Sequence, residues 1–150
     1  MILNSTTVEE LRSEWTGVVR MREHMKTIVM GTFAGGFGTA SGFSALAGLA
    51  VQGVVYNLPL LLAFDVLKHS LTEANNEKQF ACSGNRPGLT KLMRCGRNTL
   101  PWIDWDALLK GVGHRNEVAH DGKLFDQKQS LQDITSVEAQ LLAWKIIDAA

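Results

Sequence analysis

Residues 57–75 read NLPLLLAFDVLKHSLTEAN, and this stretch decides the fold. Its apolar residues fall on nearly every side of a helix, which is typical of a helix that is buried all round. Asn57 can cap such a helix, and Pro59 suits its first turn. We therefore predict a central buried helix that starts between Ala45 and Leu58 and ends near Asn75.

A long amphipathic stretch before this helix predicts its first packing partner, from about Thr6 to Met30. Thr6 or Thr7 can cap it. Its apolar stripe consists of Val8, Leu11, Trp15, Val18, Met25 and Val29. Arg22 interrupts this stripe, which indicates either a side chain that extends to solvent or a charge that faces inward.

Three further helices are predicted after the central one. A short helix covers Leu89 to Cys95, and a longer one begins at Asp104 or Trp105 and reaches about Ala119. A last helix covers about Asp133 to Ile147, and its apolar stripe is formed by Ile134, Val137, Leu141 and Trp144. No alternating strand pattern is found, so the sequence predicts an all-α bundle of four main helices plus a short helix, in a single domain over residues 1–150.

The composition limits the class of protein. Lys plus Arg equals Asp plus Glu, so the formal net charge is zero, which excludes a strongly basic nucleic-acid coat. The two cysteines, Cys82 and Cys95, could pair, but nothing indicates a secreted disulfide framework, so they are expected to be reduced thiols of a cytoplasmic protein. The N-terminus has no secretory signal pattern. No cofactor is expected.

An uncharged stretch between Lys26 and Asp65 leaves a membrane-anchored alternative, through residues 44–64. Gln52, Asn57 and Pro59 argue against a spanning helix there, so we expect no membrane contact. Gly31 to Ser44 contains five glycines and is predicted to be a loop. It lacks the sequence of a phosphate-binding loop.

The residues between Lys78 and Asp104 carry only positive charges. Such a patch can contact the phosphates of RNA, or it can be an ordinary solvated face. The candidate RNA-binding residues are Arg86, Lys91, Arg94 and Arg97. Trp102 and Trp105, which follow them, are expected to belong to the core rather than to stack on bases.

Arg115 lies on the apolar side of the predicted helix over residues 104–119. It belongs to one stripe of residues that follow each other at spacings of three or four, namely Trp105, Leu108, Val112, Arg115 and Ala119. A buried guanidinium is unfavourable unless it is paired or lines a site. We expect Arg115 to meet a carboxylate of the fold, or to face a cleft or a subunit interface.

The segment Arg115-Asn116-Glu117-Val118-Ala119-His120 resembles the motif of the HEPN superfamily. That motif is an arginine and a histidine separated by four to six residues, of which the first is often polar. The order of the predicted helices is also similar to that of HEPN proteins. Gly122 stands where HEPN toxins paired with a minimal nucleotidyltransferase often carry a tyrosine, so that subgroup does not fit.

The resemblance implies a metal-independent endoribonuclease that acts as a homodimer, with one composite site built from both copies. It implies catalytic roles for Arg115, Asn116 and His120, and RNA as the substrate. His120 would transfer protons, and Arg115 would stabilise the charge on the phosphate. It also suggests a toxin or host-defence effector with an antitoxin or another protein partner.

Other interpretations of the same residues remain open. Arg115 can form a structural ion pair, with Glu117 or with an acid on another helix. His120 can stabilise the end of its helix, and His114 is expected at a cap or on the surface. A zinc site from Cys82, Cys95, His114 and His120 lacks the usual paired spacing. The whole chain can also be a non-catalytic, HEPN-like dimeric module that binds RNA or protein.

Overall fold

The computed structural model describes residues 1–34 and 54–149. Within them the chain forms five α-helices and no strand, as the sequence predicted. The bounds are α1 Ser5–Ala34, α2 Asn57–Asn76, α3 Leu89–Gly96, α4 Trp105–Asp121 and α5 Gln127–Ala143. The described part of the chain is therefore all-α, with four main helices and the short α3.

Helix α2 is the centre of the fold because it contacts each of the other four helices. This position explains why its apolar residues are distributed around the whole helix. Its fully buried side chains are Leu60, Ala63, Phe64, Leu67, Leu71 and Ala74. The prediction of a central buried helix from residues 57–75 is confirmed.

The apolar stripes of the flanking helices supply the rest of the core. On α1, Leu11, Trp15 and Val18 are buried, whereas Val8, Met25 and Val29 are only partly buried. The predicted stripe of the last helix is buried along its whole length, at Ile134, Val137, Leu141 and Trp144. Arg22, which interrupts the α1 stripe, lies 3.4 Å from the carboxylate of Glu138 on α5.

Several predicted helix ends are wrong. Asn4 caps α1, since its Oδ1 accepts from the Thr7 amide at 2.8 Å, so neither Thr6 nor Thr7 is the cap. Helix α1 continues to Ala34, so the predicted loop cannot begin at Gly31. The remainder of that glycine-rich stretch, from residue 35, is outside the described residues.

Helix α5 begins six residues before the predicted start at Asp133. Asp126 caps it by accepting from the Gln129 amide at 2.8 Å. The helix ends at Ala143 rather than at Ile147 because Lys145 adopts a left-handed backbone with φ 58°. The residues after this turn, Ile146 and Ile147, are nevertheless buried in the core.

Asn57 does not cap α2, although the helix begins at this residue. Its side chain is buried and joins α2 to the turn between α4 and α5. Its Oδ1 accepts from the Phe125 amide at 3.0 Å, and its Nδ2 donates to the Phe125 carbonyl at 2.9 Å. This pair of hydrogen bonds fixes the chain just before α5.

Cys82 and Cys95 form a disulfide bond, which corrects the expectation of two reduced thiols. The bond joins the loop before α3 to the penultimate residue of α3. Their Cα atoms are 5.3 Å apart. Neither cysteine is therefore free to bind a metal in this state, and the four-residue zinc set cannot form.

No helix in the described ranges combines the length and apolar character that a membrane span requires. The membrane window considered from the sequence, residues 44–64, is only partly described. Its last eight residues belong to α2, and residues 44–53 lie outside the described part of the chain.

Candidate functional site

Helix α4 positions the motif residues, and both of its ends are well defined. Asp104 caps the start by accepting from the Ala107 amide at 3.0 Å. Gly122 ends the helix in a left-handed conformation with φ 66°, and its amide donates to the Glu117 carbonyl. Because the helix extends to Asp121, the residues from Arg115 to His120 all lie on regular helix.

Gly111 explains how α4 packs so closely on the central helix. A Cβ atom at this position would lie 2.6 Å from Cζ of Phe64 and 3.4 Å from Oδ1 of Asp133. At Gly113, two residues later, a Cβ would meet nothing within 4 Å. The close approach of Phe64 on α2 therefore accounts for the glycine at position 111 and not for Gly113.

Arg115 forms an ion pair with an acid on another helix, which was one of the two structural alternatives. Its Nη2 lies 3.1 Å from Oδ1 of Asp65 on α2, and its Nη1 lies 3.3 Å from Oδ1 of Asn116. Only 20% of its side chain is exposed. Glu117 is not its partner, because that carboxylate pairs with Lys123 at 3.0 Å.

The Nε atom of Arg115 is buried and has no hydrogen-bond partner among the described residues. An unsatisfied buried donor is unfavourable by about 1–3 kcal/mol, and such groups are rare in folded proteins. The guanidinium is thus anchored by Asp65 and Asn116, while its buried Nε–H lacks a partner among the described residues. A ligand could therefore reach Arg115 only through the exposed fifth of its side chain, and not through Nε.

His120 lies in the last turn of α4 and is exposed. Within the described residues it forms no hydrogen bond or ion pair. Its offset of five residues from Arg115 places the two side chains about 140° apart around the helix axis. Since α4 does not fray before Asp121, one copy of the chain does not bring Arg115 and His120 to the same side.

His114 is neither a cap nor a surface residue, which corrects the sequence interpretation. Its Nδ1 lies 2.7 Å from Oδ2 of Asp133 on α5, and the two side chains are only 14% and 5% exposed. The ionised carboxylate can only accept, so Nδ1–H donates. Oδ1 of Asp133 accepts from Nε2 of Gln129 at 3.1 Å.

The ring of His114 also lies against Phe125, with 4.3 Å between the ring centroids. Asn57 fixes Phe125 through its backbone, so three helices converge on this histidine. No sequence pattern indicates the pair of His114 with Asp133, because 19 residues separate the two and the predicted last helix starts at about Asp133. A cleft of about 600 Å³ between α4 and α5 runs past Asp133, Lys110 and Lys128.

The four predicted RNA-binding residues are all exposed. We call Arg86, Lys91, Arg94 and Arg97 the basic surface; they lie on the loop before α3, on α3 and directly after it. None of them forms an ion pair within the described part of the chain. The guanidinium of Arg97 lies 4.9 Å above the ring of Trp105.

Trp102 and Trp105 pack against the core, as the sequence predicted. Nε1 of Trp102 donates to the Gly96 carbonyl at 3.1 Å, which connects the segment before α4 to the end of α3. Within residues 1–34 and 54–149, no group of three or more His, Cys, Asp or Glu residues is arranged to bind a metal ion.

Comparisons with family models, curated proteins and solved structures find no match to this chain.

Proposed function

We propose that this chain is a homodimeric, metal-independent endoribonuclease of the HEPN type. The observation that supports it best is the arrangement of the motif on α4. Arg115 is anchored by Asp65 and Asn116 with a fifth of its side chain exposed, and His120 is exposed and unpaired among the described residues five positions later. A fixed cation and a free imidazole are the two groups that metal-free cleavage of RNA needs.

The proposed chemistry assigns one role to each side chain. His120 takes the proton from a ribose 2′-hydroxyl or returns one to the leaving oxygen, because imidazole titrates near neutral pH. Arg115 donates to the phosphate oxygens on which charge develops in the transition state. Asn116, which already contacts Arg115, keeps the guanidinium in position.

A second copy is required because one copy keeps the two main residues on different sides of α4. The offset of about 140° prevents His120 from reaching a phosphate held by Arg115 of the same helix. Two copies related by a two-fold axis can place the His120 of one beside the Arg115 of the other. The composite site proposed for HEPN proteins is consistent with this geometry.

The basic surface supplies the attraction for RNA that a neutral protein otherwise lacks. Its four side chains are exposed and unpaired within the described residues, so they are available to phosphates. Binding through such contacts weakens as salt concentration rises. A role as a toxin or defence effector, held inactive by an antitoxin or another protein, would fit an RNA-cleaving activity of this kind.

The test is cleavage of several RNA pools in EDTA by the wild type, Arg115→Ala and His120→Ala. We expect cleavage by the wild type and a loss of at least about 100-fold in both variants, the range typical of a lost acid–base or charge-stabilising group. His24→Ala, an exposed histidine on α1, is the matched control and should cleave normally. Circular dichroism and light scattering check the fold and the dimer mass.

Mixing the two inactive variants tests the composite site directly. A mixed dimer of Arg115→Ala and His120→Ala subunits retains one site with both residues intact, so part of the activity should return. An intact wild-type dimer that cleaves none of the RNA pools would overturn the nuclease proposal.

The ion pair between Arg115 and Asp65 favours a second candidate, a non-catalytic dimeric module of HEPN-like shape. In this case Asp65, 3.1 Å away, already neutralises the charge of the guanidinium, and the role of the ion pair is to hold α4 on α2. The module would bind RNA or protein without cleaving it. Wild-type protein that binds RNA in EDTA and leaves it intact, with His120→Ala binding equally well, would identify this second function.

A further inference from the structure

We propose that the Cys82–Cys95 disulfide is a thiol-exchange site, and that its reduction by a dithiol weakens the binding of RNA to the basic surface. The inference rests on the proposed RNA-directed function. The bond spans the loop and helix that carry three of the four basic residues, Arg86, Lys91 and Arg94. Arg97 follows two residues after Cys95.

The backbone enclosed by the disulfide contains one conformation that is disfavoured for its residue. Arg86 has φ 52°, in the left-handed region, whereas the φ of 103° at Gly84 is one that glycine adopts freely. A left-handed conformation is disfavoured for a residue with a side chain, because its Cβ approaches the following carbonyl oxygen. The tether to α3 therefore helps to keep Arg86 in this conformation, and removing the tether allows the loop to relax.

Helix α3 is too short to be stable alone, since isolated helices of this length are marginal in water. It has eight residues and is anchored by the buried side chains of Leu89, Leu92 and Met93. These apolar anchors remain after reduction, so α3 stays on the core. The loop from residue 83 to residue 88 has no buried side chain to anchor it. The disulfide holds the residue that precedes this loop, Cys82, against α3.

A reductant can reach the bond through a shallow groove beside Cys82. The groove has a volume of about 560 Å³ and is lined by Asn75, Lys78, Phe80, Ala81, Cys82 and Ser83. It is open to solvent. Cys82 and Cys95 are both partly exposed, but only Cys82 lines the groove, so we expect an attacking thiolate to reach the sulfur of Cys82.

The exchange is a two-electron transfer that balances with one dithiol. A thiolate of the dithiol attacks Sγ of Cys82, and the S–S bond breaks with Cys95 leaving as a thiolate that takes up a proton. The second thiol of the reductant then attacks the mixed disulfide and releases Cys82. The dithiol is oxidised to a disulfide, and the protein gains two thiols.

The test uses full-length protein in EDTA, with His120→Ala as the non-cleaving background. A fluorescein-labelled single-stranded RNA of mixed sequence reports affinity by anisotropy, before and after dithiothreitol. Thiol counting by mass spectrometry reports the state of the bond, and hydrogen exchange reports the order of residues 82–97. We expect reduction to lower the affinity about tenfold, equivalent to about 1.4 kcal/mol, and to remove protection from the loop.

The double variant Cys82→Ser/Cys95→Ser is the matched control. It should bind RNA like the reduced protein and show no response to dithiothreitol. A bond that opens without change in affinity or protection overturns the inference and leaves the RNA-binding surface intact. A bond that dithiothreitol does not open in the folded protein also overturns it. Absence of RNA binding in both redox states overturns the inference together with the proposed RNA-directed function.

Discussion

Nδ1 of His114 donates to Oδ2 of Asp133 across 2.7 Å and thereby links α4 to α5. Both side chains are largely buried, and Gln129 satisfies the other carboxylate oxygen. Removal of either side chain leaves the polar group of the other buried and without a hydrogen bond. The segment between His114 and Asp133 contains the end of α4, which carries His120.

We expect Asp133→Ala and His114→Ala each to lower the free energy of unfolding by about 2–4 kcal/mol, because each leaves a buried polar partner unsatisfied. Urea unfolding of both variants measures this change. His24→Ala removes an exposed histidine of α1 and should stay within about 0.5 kcal/mol of the wild type. A loss below 1 kcal/mol for both variants would show that this hydrogen bond does not hold α4 and α5 together.

Gly111 and Gly113 offer a matched pair of substitutions on α4. Gly113→Ala should stabilise the protein by about 0.5–1 kcal/mol, because alanine favours helix and its Cβ meets nothing within 4 Å. Gly111→Ala should destabilise it by about 1–3 kcal/mol, because the new methyl group would lie 2.6 Å from Phe64. Thermal and urea unfolding compare the two. Equal effects would contradict the close packing of α4 on α2.

Tyr56 provides a prediction for alkaline pH. Burial raises the pKa of this phenol above its usual 10.0, with a further contribution from Glu23 and an opposing one from Arg22. A raised pKa means that the unfolded state ionises first as pH increases. The stability contributed by the neutral phenol is therefore present below pH 10 and is lost as pH rises from that value through the folded pKa.

Tyr56 is the only tyrosine of the chain, so its titration can be followed by tyrosinate absorbance. We expect ionisation above pH 10 in the folded protein, and a flatter loss of stability with pH in Tyr56→Phe than in the wild type. A folded-state pKa at or below 10 would contradict the burial of this hydroxyl.

The ion pair between Arg115 and Asp65 also makes a prediction about RNA binding. Asp65 competes with phosphate for the guanidinium, and 58% of its side chain is exposed, so the pair is worth about 1 kcal/mol or less. In the non-cleaving His120→Ala background, Asp65→Asn should raise RNA affinity by up to about fivefold. Asp148→Asn, which removes the partner of Arg12, is the control. Unchanged or weaker binding would argue that Arg115 does not contact RNA.

The helical architecture could be predicted from the sequence because apolar spacing follows burial directly. The stripe of α5 and the all-round apolar pattern of α2 both correspond to fully buried side chains. The start of α5 was missed because its first turn, Gln127 to Ser130, is polar and shows no periodicity. The feature that marks the start of α5 is the capping residue Asp126, and a search for apolar periodicity does not detect a polar cap.

The candidate site could be predicted only in part. Arg115 is spaced in line with the apolar residues of its helix, and this spacing correctly predicted that the guanidinium is partly buried and paired. The identity of that partner depends on how α4 crosses α2, and the sequence spacing between Arg115 and Asp65 carries no such information. The same reason applies to His114 with Asp133 and to the bond between Cys82 and Cys95.

Trp102 lies edge-on between two other indoles, with ring centroids 4.9 Å from Trp105 and 5.1 Å from Trp144. Indole rings this close can transfer excitation energy to one another, so the emission of one ring depends on the surroundings of its neighbours. Arg97 lies over Trp105, which places one residue of the basic surface directly on this group. A phosphate that draws the guanidinium away from the ring would alter the emission of the cluster. Intrinsic tryptophan fluorescence is therefore a label-free way to test whether ligands bind at that surface.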